Sequence, residues 1–137
     1  SISIPEPYGI LVVDLNGLKQ VNDTMGHEVG DQVIFQLSSI LRNILPRNSV
    51  ICRWGGDEFA VLLPGINREQ MDHYIETLLN AKNAYNAVHA ELPIHFAVGG
   101  ALSSEHPDIS RSDLFGLADE EMYRDKQAWY AHRRIDT

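Results

Sequence analysis

The sequence is poor in cysteine, in basic residues and in long apolar runs. Its single cysteine, Cys52, excludes a disulfide within the chain and is typical of a reducing compartment, so we expect a cytoplasmic domain. No apolar run is long enough to cross a bilayer, and we expect no direct membrane contact. Only 11 Lys and Arg face 19 Asp and Glu, and the net charge of −8 argues against a nucleic-acid partner.

Internal repeats, low-complexity tracts and linkers are also absent. We therefore expect residues 1–137 to form a single domain. The acidic charge does not exclude a small phosphate ligand, because a bound metal ion can neutralise carboxylates locally.

Apolar periodicity predicts the order strand, helix, hairpin, helix, strand, helix. The first strand is predicted at Ile10–Val13 and ends at Asp14, and the turn of the hairpin is assigned to Gly55 and Gly56 alone. The other predicted elements are a helix from about 30 to 45, strands at 49–54 and 57–63, a helix capped by Asn67, a strand at 94–101 and a helix capped by Ser112.

This order of elements is the βαββαβ core of ferredoxin-like, palm-type folds, so we predict an α+β protein with an antiparallel sheet flanked by helices. Right-handed crossovers place the third strand between the first and the second, antiparallel to the first. The end of the first strand then lies beside the start of the third. Asp14 and Asp57, far apart in sequence, are therefore predicted to share one site.

Paired carboxylates at the ends of two strands are suited to Mg²⁺ or Mn²⁺, which prefer hard oxygen ligands and bridge phosphate oxygens. The alternative is that each acid only caps a turn or is solvated. Gly55 and Gly56 form a tight turn, and glycine also lets a bulky ligand approach the backbone. The stretch from Asp14 to Lys19 leaves a strand and enters a helix, where free amides can cradle phosphate and Lys19 can add charge.

Two motifs carry a family resemblance. The run RWGGDEF at 53–59 resembles the signature of the GGDEF family, the diguanylate cyclases. The run DLNGLKQVND at 14–23, followed by Gly26-His27 and Gly30-Asp31, is similar to the substrate-binding stretch of that family. The similarity extends from about Tyr8 to Tyr123 and implies a fold like that of the nucleotide cyclases.

The resemblance implies a role for each matching residue. The metal ligands would be the side chains of Asp14 and Asp57 and the carbonyl of Leu15, and the catalytic residues would be Asp57, Glu58 and Asp14. Glu58 would have a supporting or transition-state role. The remaining substrate-binding residues would be Gly17, Leu18, Lys19 and Lys126 at the phosphates, Asn22 and Asp31 at guanine, and Gly55 and Gly56 where the ligand approaches the turn.

The implied activity is the condensation of two GTP molecules into cyclic di-GMP and two pyrophosphates, with Mg²⁺ or Mn²⁺ as cofactor. Each domain would hold one GTP, so catalysis would need a homodimer with two-fold symmetry. Sensory or output domains are expected elsewhere in the full-length protein, and any attachment to a membrane would come from those regions.

The chain also departs from the family pattern. Tyr130 stands where an Arg is usual, with Arg133 and Arg134 as candidate substitutes. The Arg-x-x-Asp product-inhibition motif is replaced by residues 46–49, PRNS, and the usual N-terminal Asp-x-Leu-Thr element is absent. These departures leave two alternatives open. One is a regulatory GTP-binding module with weak catalysis, and the other is a different palm-like nucleotidyltransferase.

Overall fold

The computed structural model describes the backbone of residues 7–136 and the side chains of residues 7–133. The strands and the three long helices follow the predicted order, and the helical segment expected after Lys19 is a separate short helix. The elements are β1 (Tyr8–Leu15), α1 (Leu18–Met25), α2 (His27–Ile44), β2 (Val50–Trp54), β3 (Glu58–Pro64), α3 (Arg68–Val88), β4 (Phe96–Leu102), a 3-10 turn (Ser103–Glu105) and α4 (Arg111–Asp136).

The four strands form one antiparallel sheet in the order β2-β3-β1-β4. The predicted α+β class is confirmed, and so is the position of β3 between β1 and β2. β1 lies in the interior of the sheet, and every residue from Tyr8 to Val13 is buried. This burial on both faces explains why its apolar residues form a continuous run instead of alternating with polar ones.

Two apolar cores lie on opposite faces of the sheet. On one face, α2 and α3 pack against alternate residues of β1, among them Leu11 and Val13. On the other face, α4 packs against Ile10 and Val12. Because side chains alternate along a strand, the single strand β1 contributes to both cores and fixes α4 relative to the ends of β1 and β3.

The helical segment expected after Lys19 and the helix predicted from about residue 30 are two separate helices, α1 and α2. Gly26 separates α1 from α2 with a φ of 91°, a conformation that a side chain would strain. The second helix consequently begins at His27, earlier than the predicted start near residue 30. The apolar spacing that indicated the helix comes only from its buried stretch, so the polar first turn was missed.

Two further predictions are wrong at turns. Trp54 pairs with Glu58, so the hairpin loop has three residues and Asp57 belongs to the turn instead of to β3. Ser110, not Ser112, caps α4, because its hydroxyl accepts the amide of Asp113 at 3.0 Å. The capping box at Asn67 and Gln70 is confirmed.

None of the helices in the described part of the chain combines the length and the apolar character that crossing a bilayer requires.

Gly99 is predicted to control how closely α4 approaches the sheet. A Cβ at Gly99 would overlap the carbonyl of Ala118 and the amide nitrogen of Met122, both on the α4 backbone. Gly99→Ala should therefore lower the free energy of unfolding by about 1–3 kcal/mol, measured by urea titration. Gly116→Ala is the matched control, because no atom lies within 4 Å of its Cβ position, and it should stabilise by about 0.5–1 kcal/mol. Equal stability of Gly99→Ala and the parent chain would contradict this account of the packing.

Candidate functional site

The candidate site lies where β1 ends and β3 begins. Asp14 stands directly opposite Glu58 in the register of the two strands, and partners in an antiparallel pair face the same side of the sheet. The amide of Leu15 donates to the carbonyl of Asp57 at 3.0 Å, which ties the turn residue to the end of β1. The structure thus brings Asp14 and Asp57 together, as the topology predicted.

Lys126 of α4 reaches into this junction. Its ammonium donates to the carbonyl of Leu15 at 2.8 Å and lies 3.1 Å from Oδ1 of Asp14. Both partners in this ion pair are largely buried, with 19% of the Lys126 side chain and 13% of the Asp14 side chain exposed. Oδ1 of Asp14 has no hydrogen bond of good geometry, so the contact with Lys126 is an ion pair only.

The electrostatics of Asp14 follow from this setting. Burial is the main cause that raises the pKa of Asp14 above its ordinary value, because a charged carboxylate is poorly solvated there. Lys126 opposes this effect, and the neighbouring Asp57 adds to it. The junction therefore favours an additional positive charge, which would stabilise both carboxylates.

The oxygen atoms at this junction fit a divalent cation. A carboxylate and a carbonyl already converge on one cation, the Lys126 ammonium, and the Asp57 carboxyl is close enough to perturb Asp14. Hard oxygen donors of this kind are the ligands that Mg²⁺ and Mn²⁺ prefer. Across residues 7–133 no cluster of three or more His, Cys, Asp or Glu side chains is arranged to hold a metal, so a metal here would need the Leu15 carbonyl.

Glu58 is paired with a residue that the sequence did not single out, Asp119 of α4. Burial first, and then a hydrogen bond and the charge of Asp119, raise the pKa of Glu58 to about 7. Asp119 and Lys126 are seven residues apart on one helix, a spacing that places both on the same face. That spacing was the available sequence signal for Asp119.

The loop after β1 presents backbone amides at the start of α1. Gly17 caps this helix with a φ of 76°, a left-handed conformation that favours glycine. Its amide donates to the hydroxyl of Tyr130 at 2.9 Å. The side chain of Leu18 is buried, whereas that of Lys19 is 92% exposed and pairs with Asp23 at 3.5 Å. The structure therefore does not bring Lys19 to the carboxylates.

Asn22 and Asp31 are brought together across the junction of α1 and α2. The side chain of Asn22 packs against Gly30, where a Cβ would overlap it, and Asp31 is the next residue. Asp31 is exposed and lines a cleft of about 400 Å³ between α2 and the β2–β3 hairpin, together with Phe35 and Arg53. Its carboxylate is thus available to a ligand in that cleft.

The two glycines of the hairpin loop leave open space. Gly55 has a φ of 57°, and no atom lies within 4 Å of a Cβ placed at Gly55 or at Gly56. The guanidinium of Arg53 donates to the carbonyl of Gly56 at 2.7 Å and holds the loop in shape. Packing within the chain does not require a glycine at position 56, which agrees with a role in ligand approach.

The end of α4 adds aromatic and basic side chains that the sequence could not place. Lys126, Tyr130 and Arg133 follow one another at a spacing that keeps them on one face of the helix. Arg133 stacks on Trp129, with the guanidinium carbon 4.3 Å from the ring centroid. Arg134, the other candidate from the sequence, lies outside the residues whose side chains are described.

Comparison with known proteins connects this arrangement to a family. The family model described as "Diguanylate cyclase, GGDEF domain" matches residues 3–131. The probable diguanylate cyclase DgcT of Escherichia coli K12 is 31% identical over an alignment of 127 residues that covers 88% of this chain and 27% of the relative. The chain therefore spans about a quarter of the length of this curated relative.

Solved structures agree with the fold. The GGDEF domain of PA1120 (TpbB or YfiN) from Pseudomonas aeruginosa is 28% identical with a TM-score of 0.78, covering 90% of this chain and 73% of the other. The active GGEEF domain of a diguanylate cyclase from Vibrio cholerae has a TM-score of 0.80 at 23% identity, covering 89% and 78%. With a family model that spans nearly all of its length and a matching fold, the chain belongs to the GGDEF domain family.

Proposed function

We propose that this chain is the catalytic domain of a diguanylate cyclase, which condenses two GTP molecules into cyclic di-GMP and releases two pyrophosphates. The observation that carries the proposal is that the Asp14 carboxylate and the Leu15 carbonyl converge on one cation, the Lys126 ammonium, beside Asp57. Three oxygens at one strand junction, next to the start of a helix, suit a metal-bound triphosphate.

Asp14, the carbonyl of Leu15 and Asp57 would hold one Mg²⁺ or Mn²⁺. When bound, this ion stabilises charge on the phosphoryl oxygens of the substrate. The amides of Gly17 and Leu18 would bind the phosphates, and Lys126 reaches the same end of β1. These residues would align the α-phosphorus of one GTP for attack by the 3′-hydroxyl of another, with pyrophosphate leaving.

Asn22 and Asp31 would recognise guanine. A carboxylate can accept from N1–H and N2–H₂ of guanine side by side, whereas adenine offers no such pair of donors. Two observations support this assignment: Asp31 is exposed and lines the cleft beside the hairpin, and the Asn22 side chain packs against Gly30, the residue before Asp31. The open loop at Gly55 and Gly56 would let the ligand approach the backbone.

Catalysis requires two such domains, because one domain holds only one GTP and the product joins two. We propose a homodimer in which the two sites face each other across a two-fold axis. The chain covers only about a quarter of its curated relative, and we propose that it is one domain of a longer cytoplasmic protein with sensory or output domains.

Glu58 would support the reaction through its proton. It stands opposite Asp14 and shares a hydrogen bond with Asp119, and its pKa of about 7 lets it hold or release a proton near neutral pH. A group with this pKa can serve as a general acid or base under physiological conditions.

A second candidate function is a GTP-binding regulatory module with weak catalysis. The Gly17 amide already donates to the Tyr130 hydroxyl, and this favours the second function. An N–H that donates to tyrosine is less available to a substrate phosphate. Tyr130 is also a neutral residue at the position where the resemblance to the family implies an Arg. Product analysis separates the two candidates.

Concentrated protein incubated with GTP and Mg²⁺ should yield cyclic di-GMP, detected by chromatography, with the rate per chain rising with protein concentration. Asp57→Asn should lower this rate by about a hundredfold or more, because it removes a charge that holds the metal. Asp108→Asn is the control, since Asp108 is exposed and has a φ of 62° that asparagine tolerates, and it should leave the rate unchanged.

Binding of GTP without product at any protein concentration would instead support the regulatory module. Full activity in Asp57→Asn would contradict the metal assignment.

The stability of the metal-free chain should depend on pH through Glu58. Its folded pKa of about 7 lies above the ordinary value of 4.5, so the folded state binds the proton more tightly than the unfolded chain. The part of the stability that depends on Glu58 should therefore rise as the pH falls from about 8 to about 5, opposite in sign to the part that depends on His95, whose pKa is lowered, and Glu58→Gln should remove the Glu58 part. Urea midpoints of both chains across this range test the prediction, and parallel curves would contradict it.

A further inference from the structure

Arg133 is held beside the loop that follows β1 by contacts on two sides. Its guanidinium lies over the ring of Trp129, and its Nη2 is 3.3 Å from Nε2 of His95. Both partners also touch the loop. The carbonyl of His95 accepts the amide of Asn16 at 2.8 Å, and the Trp129 ring lies 3.7 Å from the position of a Cβ on Gly17. The two residues that orient Arg133 therefore also border the Asn16–Gly17 backbone.

The protonation state of His95 is consistent with this contact. Burial is the main cause that lowers the pKa of His95, and the positive charges of Arg133 and Lys82 lower it further. A neutral imidazole can accept at Nε2, so Arg133 can donate to it instead of being repelled. The contact uses only part of the five N–H donors of the guanidinium, and the rest remain available to an anion.

Two lysines also lie near the loop, and each has an acidic partner within the chain. Lys126 is paired with Asp14 and the Leu15 carbonyl, and Lys19 extends into solvent beside Asp23. The carboxyl groups of Asp14, Asp57 and Glu58 lie at the same strand junction and add negative charge there. A bound triphosphate would add more negative charge than one divalent ion and Lys126 neutralise, so a further positive group beside the Gly17 amide, where Arg133 lies, would stabilise it.

We propose that Arg133 is a phosphate-binding residue of this site, stacked on Trp129 and oriented by His95, and that it supplies the cation that Tyr130 lacks. Arg133 lies one helical turn beyond Tyr130 on the same face of α4, so a polyphosphate crossing the start of α1 would meet its guanidinium. This assignment rests on the proposed function, since it presumes a nucleoside triphosphate as the ligand.

Equilibrium binding tests the assignment with two probes, 3′-deoxy-GTP, which lacks the attacking hydroxyl, and GMP, which lacks the terminal phosphates. Arg133→Gln in the 137-residue chain should raise the Kd for 3′-deoxy-GTP about tenfold and leave the Kd for GMP nearly unchanged. Arg133→Lys should recover part of the loss, because it keeps the charge but not the planar stacking. Arg124→Gln, which removes an exposed arginine of the same helix, is the control and should not change either Kd.

Three other outcomes would each overturn the assignment of Arg133, and they differ in what they leave standing. Unchanged 3′-deoxy-GTP binding by Arg133→Gln, with binding by the parent chain intact, would overturn the role of Arg133 and leave the proposed function standing. An equal loss for 3′-deoxy-GTP and GMP would also overturn it, because the residue would then act on the fold or the base. A parent chain that binds neither probe would overturn the proposed function together with this inference.

Discussion

The buried carboxylate of Asp14 and the carbonyl of Leu15 form the one constraint on which the rest of the site depends. Both oxygens require a positive partner, because the end of β1 is shielded from water. In the structure the partner is the ammonium of Lys126, which ties α4 to the strand. The β1–β3 register adds the carboxyls of Asp57 and Glu58 at the same place.

Helix α4 combines structural and chemical roles for this reason. Its middle turns pack closely on the sheet over Gly99, and this close packing sets the depth at which later side chains reach the end of β1. Asp119 then meets Glu58, Lys126 meets Asp14, and the last turns surround the loop after β1. A helix that packed even slightly further from the sheet would separate the ammonium from the two oxygens that it joins.

Much of this arrangement could be predicted from the sequence, because it follows from periodicity and connection rules. The apolar run of β1 and right-handed crossovers were sufficient to place Asp14 beside Asp57. Details that depend on a single φ angle could not be predicted, as at Gly26, whose positive φ separates α1 from α2 and lets α2 begin at His27. The position of Arg133 could not be predicted either, because it depends on stacking between a long side chain and Trp129 at the end of a helix.

We propose that the oxygens now shared by Lys126 are those of a metal site. Crystals grown with Mn²⁺ and 3′-deoxy-GTP would test it by anomalous diffraction at the manganese edge. A metal site here predicts an anomalous peak within bonding distance of the carboxylates of Asp14 and Asp57 and the carbonyl of Leu15. A peak elsewhere, with Lys126 still bound to the Leu15 carbonyl and Asp14, would contradict it.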